Sequence, residues 1–119
     1  MTPPDRTTTL LCVCLLLSAL VAAYPFGIDA ERRALDAEEA YLSAGFENAP
    51  CVESWEVYSP VVEEESSVVN QTAHEVYVEV KHPYSYGTES DEVDGASEAV
   101  YRVTAESETR VSGDEVVPC

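Results

Sequence analysis

An uncharged stretch of 22 residues, 7–28, divides this chain into two unequal parts. One basic residue, Arg6, precedes the stretch, and the small residues Val21-Ala22-Ala23 lie near its end. A charged start, an apolar centre and a small-residue end are typical of a secretory signal peptide, whose cleavage would leave Tyr24 first. About 20 apolar residues also span a bilayer. Residues 1–28 are therefore predicted to be either a signal peptide or a transmembrane anchor.

Both interpretations place the rest of the chain outside the cell, either secreted or anchored to the membrane by an N-terminal helix and facing outward. Signal-like segments near an N-terminus usually export the polypeptide behind them. Arg32 and Arg33 balance Arg6 across the apolar stretch, so the positive-inside rule leaves the membrane orientation open. The length of 119 residues limits the exported part to one small domain.

The four cysteines fall into two groups. Cys12 and Cys14 lie inside the apolar stretch, where a small apolar side chain is their simplest role. Cys51 and Cys119 are left over, and an even pair in an exported chain predicts one disulfide, with two free thiols as the alternative. Closing a loop of this length stabilises a fold by about 4 kcal/mol in the chain-entropy model.

Acidic residues dominate the exported part. The chain has 23 Asp and Glu against 6 Lys and Arg, and its net charge is −17. This balance argues against a nucleic-acid partner, which needs clustered basic side chains. The acids are spread from Asp29 to Glu115, which predicts an acidic surface and not an interaction tail. The near-absence of lysine is similar to the proteomes of salt-loving archaea; the alternative is an acidic, calcium-rich surface in an ordinary organism.

Residues 29–45 are predicted to form a helical linker. Asp29 can cap the helix and Gly45 can end it. Apolar residues recur on one face at helical spacing, which makes this a thin, alanine-rich packing surface. The residues of that face are Ala30, Ala34, Ala37 and Tyr41.

Residues 46–119 are predicted to form a small antiparallel β-sandwich, so the fold class is mainly β. Alternating valines mark the clearest strand, at residues 76–81. Residues 83–96 are predicted to be the longest loop. Short strands without intervening helices favour a sandwich. The other predicted strands are 51–58, 61–69, 99–105, and a short strand or hairpin within 110–117.

Three segments resemble the small immunoglobulin-like domains of archaeal exported proteins. They are the turn Ser67-Val68-Val69-Asn70-Gln71-Thr72, the strand Val76-x-Val78-x-Val80, and Asp94-Gly95-Ala96-Ser97 before the strand at 99–103. The resemblance implies an immunoglobulin-like β domain among uncharacterised exported or membrane-anchored proteins of halophilic archaea. It carries over no catalytic residue.

Three polar or aromatic positions are predicted to serve recognition or modification. Tyr84 and Tyr86 lie in the predicted loop and are candidates for contact with a protein partner. Asn70 begins an Asn-Gln-Thr triplet, which is an acceptor for N-glycosylation. Trp55, by contrast, is predicted to anchor the core.

The leading functional hypothesis is a non-enzymatic extracytoplasmic surface or interaction domain of a halophile. No catalytic residue, cofactor or metal ligand is predicted, because His74 and His82 lack ligand-spaced partners and are expected at the surface. The acidic residues 63–65 and 91–94 are expected to be solvated. The alternative is an extracytoplasmic cation-binding protein or small enzyme that uses the acidic loop 91–94.

Overall fold

The computed structural model describes residues 29–119, so the predicted signal peptide or anchor lies outside the described residues. The fold is mainly β, as predicted, and consists of one helix and a five-stranded antiparallel sheet. The helix α1 covers residues 29–47 of the described part. The strands are β1 (Ser54–Glu56), β2 (Glu65–Gln71), β3 (Val76–Gly87), β4 (Glu92–Val103) and β5 (Glu108–Gly113).

A long hairpin of β3 and β4 forms the centre of the sheet. The two strands pair over twelve residues, from Val76 opposite Val103 to Gly87 opposite Glu92. β5 pairs with the other side of β4. β1 and β2 share the remaining edge of β3: β2 lies opposite residues 76–81 and β1 opposite residues 85–87.

Pro83 lies in the interval of β3 between these two short strands. Proline has no N–H group and is therefore confined to positions where a sheet does not need the donor. On the edge shared by β1 and β2, residues 82–84 have no strand opposite them in the described part of the chain. The gap accommodates a proline within an otherwise central strand.

Within residues 29–119, the helix α1 covers this sheet. The predicted sandwich would have a second sheet in that position. All five strands pair in one sheet, and the valine-bearing face of β3 packs against the helix. Alanine side chains on α1 allow the helix to approach this face closely. The core contains Ala30, Ala34, Val76, Val78, Val80, Ala99, Tyr101 and Val103. Residues 29–45, predicted to be a helical linker, thus contribute to the same core as the strands.

The buried stripe of α1 differs from the predicted face. The prediction continued from Ala34 to Ala37 and Tyr41, but Tyr41 is 41 % exposed. The observed stripe advances in steps of four residues, and each step turns about 40° beyond a full turn. A row of buried residues that rotates slowly around the helix in this way matches the twist of the sheet beneath it. The stripe is Ala30, Ala34, Glu38, Leu42 and Phe46.

The helix continues past Gly45, which was predicted to end it. Asn48 follows the last helical residue, and its side-chain amide donates to the Ala44 carbonyl at 2.8 Å. The additional turn carries Phe46 into a buried position against the sheet. Packing of this phenylalanine therefore outweighs the helix-ending tendency of glycine.

The predicted loop at 83–96 is wrong. β3 and β4 extend through most of it, and the turn is confined to residues 88–91. Thr88 closes the turn, because its N–H donates to the Asp91 carbonyl at 2.8 Å and its hydroxyl accepts from the Asp91 N–H at 3.1 Å. The tyrosines of this segment, and two of its four acids, are thus on strands.

The predicted disulfide is confirmed. Cys51 and Cys119 are bonded, with a Cα–Cα distance of 5.8 Å, and they join the segment before β1 to the last residue of the sequence. Within residues 29–119, no helix combines the length and the apolar character that crossing a membrane requires.

Candidate functional site

An aromatic cluster lies where the C-terminal end of α1 meets β3. Phe46 is its centre, with ring centroids 5.5 Å from Tyr84, 5.2 Å from Tyr86 and 6.1 Å from Trp55. The two tyrosine rings stack at 6.2 Å. The strand alternation places Tyr84 and Tyr86 on the same side as the core valines, and both are half-buried. The predicted contact residues are thus brought together, but on a strand.

Tyr84 is held in place by a glycine on the neighbouring strand. Gly95 lies opposite Tyr84, and a Cβ atom on it would come within 2.7 Å of the tyrosine hydroxyl. Burial raises the pKa of Tyr84, and the nearby Tyr86 and Asp114 raise it further. This tyrosine is therefore a neutral, packed side chain, whereas Tyr86 lies closer to the turn between β3 and β4.

A groove of about 230 Å³ opens at the β1 edge of the sheet. Trp55 and Tyr86 border the groove, but strand alternation places their rings on the opposite, α1-facing side of the sheet, against Phe46. Trp55 was predicted as the core anchor, but it is 37 % exposed, because β1 is a three-residue edge strand. The groove is also lined by Ser54, Glu56, Ser85, Gly87, Glu92, Val93 and Asp94.

The carboxylates of the groove share one face of the sheet. Glu56 is opposite Ser85, and Ser85 is opposite Asp94, so the three form one row across three strands. Glu92 belongs to the next row, opposite Gly87. Small side chains between carboxylates leave space above the strand, and the site can accept an extended, positively charged group.

The acidic residues 91–94, on which the second functional hypothesis depends, do not form one loop. Asp91 lies in the turn, whereas Glu92 and Asp94 lie on β4 and face the groove. No group of three or more His, Cys, Asp or Glu side chains in residues 29–119 is arranged to hold a metal ion.

Asn70 lies near the end of β2 and not in a turn. It is exposed, and its side-chain oxygen accepts a hydrogen bond from the Gln71 N–H at 2.9 Å. The register between β2 and β3 shifts between Val68 and Asn70, which indicates a bulge at this edge. The position is accessible, and its glycosylation stays a prediction.

A buried polar cluster in the middle of the α1–sheet interface was not predicted. Glu38, His82 and Ser97 are all at most 2 % exposed. The Glu38 carboxylate accepts from Arg110 Nε on β5 at 3.1 Å. Arg110 also donates from Nη2 to the Asp114 carbonyl at 2.7 Å, and its guanidinium lies 4.1 Å from the Tyr41 ring centroid.

Burial dominates the electrostatics of this cluster. Desolvation raises the pKa of Glu38 above its ordinary value of 4.5, and the Arg110 guanidinium opposes that rise. Burial, together with the Glu38 charge, raises the pKa of Tyr101 to about 12. The interface therefore favours a neutral carboxyl and a neutral phenol, and the arginine reduces this preference without reversing it.

Two patterns in the sequence contain these missed residues. His82 continues the alternation of Val76, Val78 and Val80, and Glu38 continues the four-residue spacing of Ala30 and Ala34. Ionisable side chains are rarely fully buried without a partner, so neither pattern by itself indicates a buried position. The partner of Glu38 is Arg110, which is 72 residues away. The prediction that His82 lies at the surface is wrong.

Comparisons of this chain with protein-family models, curated proteins and solved structures found no match.

Proposed function

We propose that this chain is an exported, non-enzymatic surface domain that presents an acidic groove to a protein partner. The observation that carries the export half of this proposal is the Cys51–Cys119 disulfide. Disulfides persist in oxidising compartments and are rare in the reducing cytosol. The apolar stretch at residues 7–28 supplies the means of export, as a cleaved signal or as a membrane anchor.

The acidic exterior supports a high-salt environment. Among the described acidic side chains, Glu38 is buried, Glu31 and Glu75 are half-buried, and the others are exposed. At about 1 M salt the Debye length falls to about 3 Å, so the repulsion within such a coat is largely screened. We assign the domain to the surface of a halophile, and its relationship to archaeal immunoglobulin-like domains stays a prediction.

The groove at the β1 edge supports a positively charged partner segment. Glu56, Glu92 and Asp94 supply negative charge on one face, and the small residues Ser85 and Gly87 leave space between them. Carboxylates around such a space suit the ammonium or guanidinium group of a basic side chain. We therefore propose a Lys- or Arg-bearing segment of a cell-surface protein as the occupant.

Thiol labelling in intact cells tests export. The full chain is expected to resist a membrane-impermeant maleimide until a reductant is added, because Cys51 and Cys119 are paired. In the control variant Cys51→Ser, Cys119 should react without reductant. Labelling of Cys51 or Cys119 in the unmodified chain without reductant would contradict the proposal. The mass of the mature protein separates a start at Tyr24, which means secretion, from a start near Met1, which means an anchor.

Fluorescence anisotropy of a labelled Lys/Arg-rich peptide tests the groove. Titration with the chain is expected to raise this anisotropy saturably. Asp94→Lys should weaken binding at least threefold, because it places a positive charge in the groove. Glu115→Lys makes the same charge change in the exposed C-terminal segment and should have little effect. An equal loss in both variants would show nonspecific attraction and would contradict a groove site.

Cation binding is the alternative that the same face suggests, because Glu56, Glu92 and Asp94 line one groove. Calorimetry with calcium in concentrated salt distinguishes the two functions. Saturable calcium binding that is lost in Asp94→Ala would favour the alternative. Peptide binding without a calcium response would favour the interaction domain.

A further inference from the structure

His82 is a buried histidine at the border between the core and an irregular segment. It is 2 % exposed and lies on the α1-facing side of β3, opposite Ser97 on β4. Segment 57–64, which joins β1 to β2, reaches the same place through Glu64. The histidine therefore contacts the one part of this edge that no strand covers within the described residues.

The hydrogen-bond partner of Nδ1 in His82 shows that this nitrogen carries a proton. Nδ1 lies 3.0 Å from the Pro83 carbonyl oxygen. A carbonyl oxygen only accepts hydrogen bonds, so Nδ1 must carry a hydrogen. In a neutral imidazole the other nitrogen, Nε2, would then carry a lone pair.

The other ring nitrogen, Nε2, faces a carboxylate. Nε2 lies 3.2 Å from the Glu64 carboxylate oxygen Oε2, and Glu64 is 53 % exposed. The contact is too bent to be a hydrogen bond, and Nε2 has no other hydrogen-bond partner in the described residues. A lone pair at this distance from a carboxylate is repelled, whereas an imidazolium is attracted.

The other titratable groups around His82 are largely neutral or paired. From α1, Glu38 interacts with His82, but burial raises the pKa of this carboxyl, and Arg110 of β5 offsets its charge when it is ionised. Asp114, after β5, adds negative charge to the Glu38 neighbourhood. β4 contributes the uncharged Ser97 and the neutral phenol of Tyr101.

We propose that His82 is a proton-dependent clamp on segment 57–64. With both ring nitrogens protonated, it holds Glu64 against the sheet and closes the uncovered interval of β3 at residues 82–84. When Nε2 loses its proton, the ionic attraction disappears and a lone pair faces the carboxylate. Glu64 and the segment before β2 then move away, which opens a free sheet edge in response to rising pH. This proposal does not depend on the occupant of the groove.

Nuclear magnetic resonance of the full chain with ¹⁵N-labelled histidine tests the proposal. The chain has two histidines, and the exposed His74 is the internal reference. Below the transition, Nδ1 and Nε2 of His82 should both be protonated. Above it, only Nδ1 should be protonated, and the backbone amides of residues 61–64 should become more mobile at the same pH.

A charge-removing variant separates the clamp from a structural histidine. Glu64→Gln should reduce the proton affinity of His82 by up to about fivefold, the value for a partly exposed ion pair. It should also uncouple the mobility of segment 57–64 from pH. Glu63→Gln, next to it and exposed, is the matched control and should change neither property. A neutral His82 while residues 61–64 stay in place, or equal effects of the two variants, would overturn the proposal.

Discussion

Two ion pairs join the same helix to the same strand, yet their surroundings differ. Arg33 on α1 pairs with Glu108 on β5, and these side chains are 21 % and 31 % exposed. Further along α1 the two charges exchange places: Glu38 on the helix accepts from Arg110 on β5, and Glu38 is completely buried. The comparison shows that burial changes the energetic role of an ion pair. An exposed pair contributes little to stability, whereas removal of one partner from a buried pair is strongly destabilising.

The buried pair also has more supporting contacts. Arg110 is fixed by the Asp114 carbonyl and by the Tyr41 ring as well as by Glu38. Removing the arginine would leave a desolvated carboxylate without compensation. Removing Arg33 would leave a carboxylate that water can reach.

The largest expected effect is that of Arg110→Ala. The uncompensated Glu38 carboxylate should lower the free energy of unfolding by about 3–5 kcal/mol. Arg33→Ala, the matched control on the exposed pair, should cost at most about 1 kcal/mol. Urea denaturation of both variants measures the difference. Equal losses would mean that the two pairs are equivalent and that burial is irrelevant.

Replacing both buried charges with leucine should restore most of that loss. Buried ion pairs are often no more stabilising than apolar residues of similar volume. We therefore expect the double variant Glu38→Leu, Arg110→Leu to be at least about 2 kcal/mol more stable than Arg110→Ala alone. The same denaturation measurement checks this, and a double variant less stable than Arg110→Ala would show that the pair itself stabilises the interface.

The pH dependence of stability should distinguish Glu38 from the other acids. Its pKa in the folded protein is raised above 4.5, so the folded state favours the protonated carboxyl. The resulting stabilisation is complete below pH 4.5 and is lost as the pH rises through the folded pKa. Glu38→Gln should remove this decline when unfolding curves are compared across that window. If stability declines with pH in the variant as it does in the unmodified chain, another titratable group causes the decline.

The smallest expected effect is the coupling within the exposed pair. A double-mutant cycle on Arg33 and Glu108 should give about 0.2–1 kcal/mol. Salt near 1 M should reduce this coupling, because exposed charges are screened. A coupling that persists in concentrated salt would place this pair in the same class as the buried one.

The strands were predictable where the sequence alternates without interruption. Val76, Val78 and Val80 indicate the core face of β3 correctly. The alternation continues through His82, Tyr84 and Tyr86, but a proline and several polar residues favoured a loop at that point. Two gaps explain the failure: within residues 29–119 no strand lies opposite Pro83 on the edge that β1 and β2 share, and Gly95 leaves room for the Tyr84 ring.

The candidate site was predictable only in part. The disulfide followed from the two cysteines outside the apolar stretch, and the structure brings Tyr84 and Tyr86 together as stacked rings. The carboxylates that face it could not be grouped from the sequence, because Glu56 and Asp94 are brought together by the register of three strands. The position of α1 on the sheet could not be predicted either, because the buried residues of a helix that follows a twisted sheet depart from ideal helical spacing.

The central claim is that an acidic exterior surrounds one helix–sheet core and that dissolved salt makes the fold stable. Thermal unfolding of the oxidised full chain, in millimolar buffer and at about 1 M salt, tests it most directly. We expect a cooperative transition whose midpoint rises with salt, because screening relieves the repulsion among exposed carboxylates. A midpoint that is the same in both conditions would contradict the account.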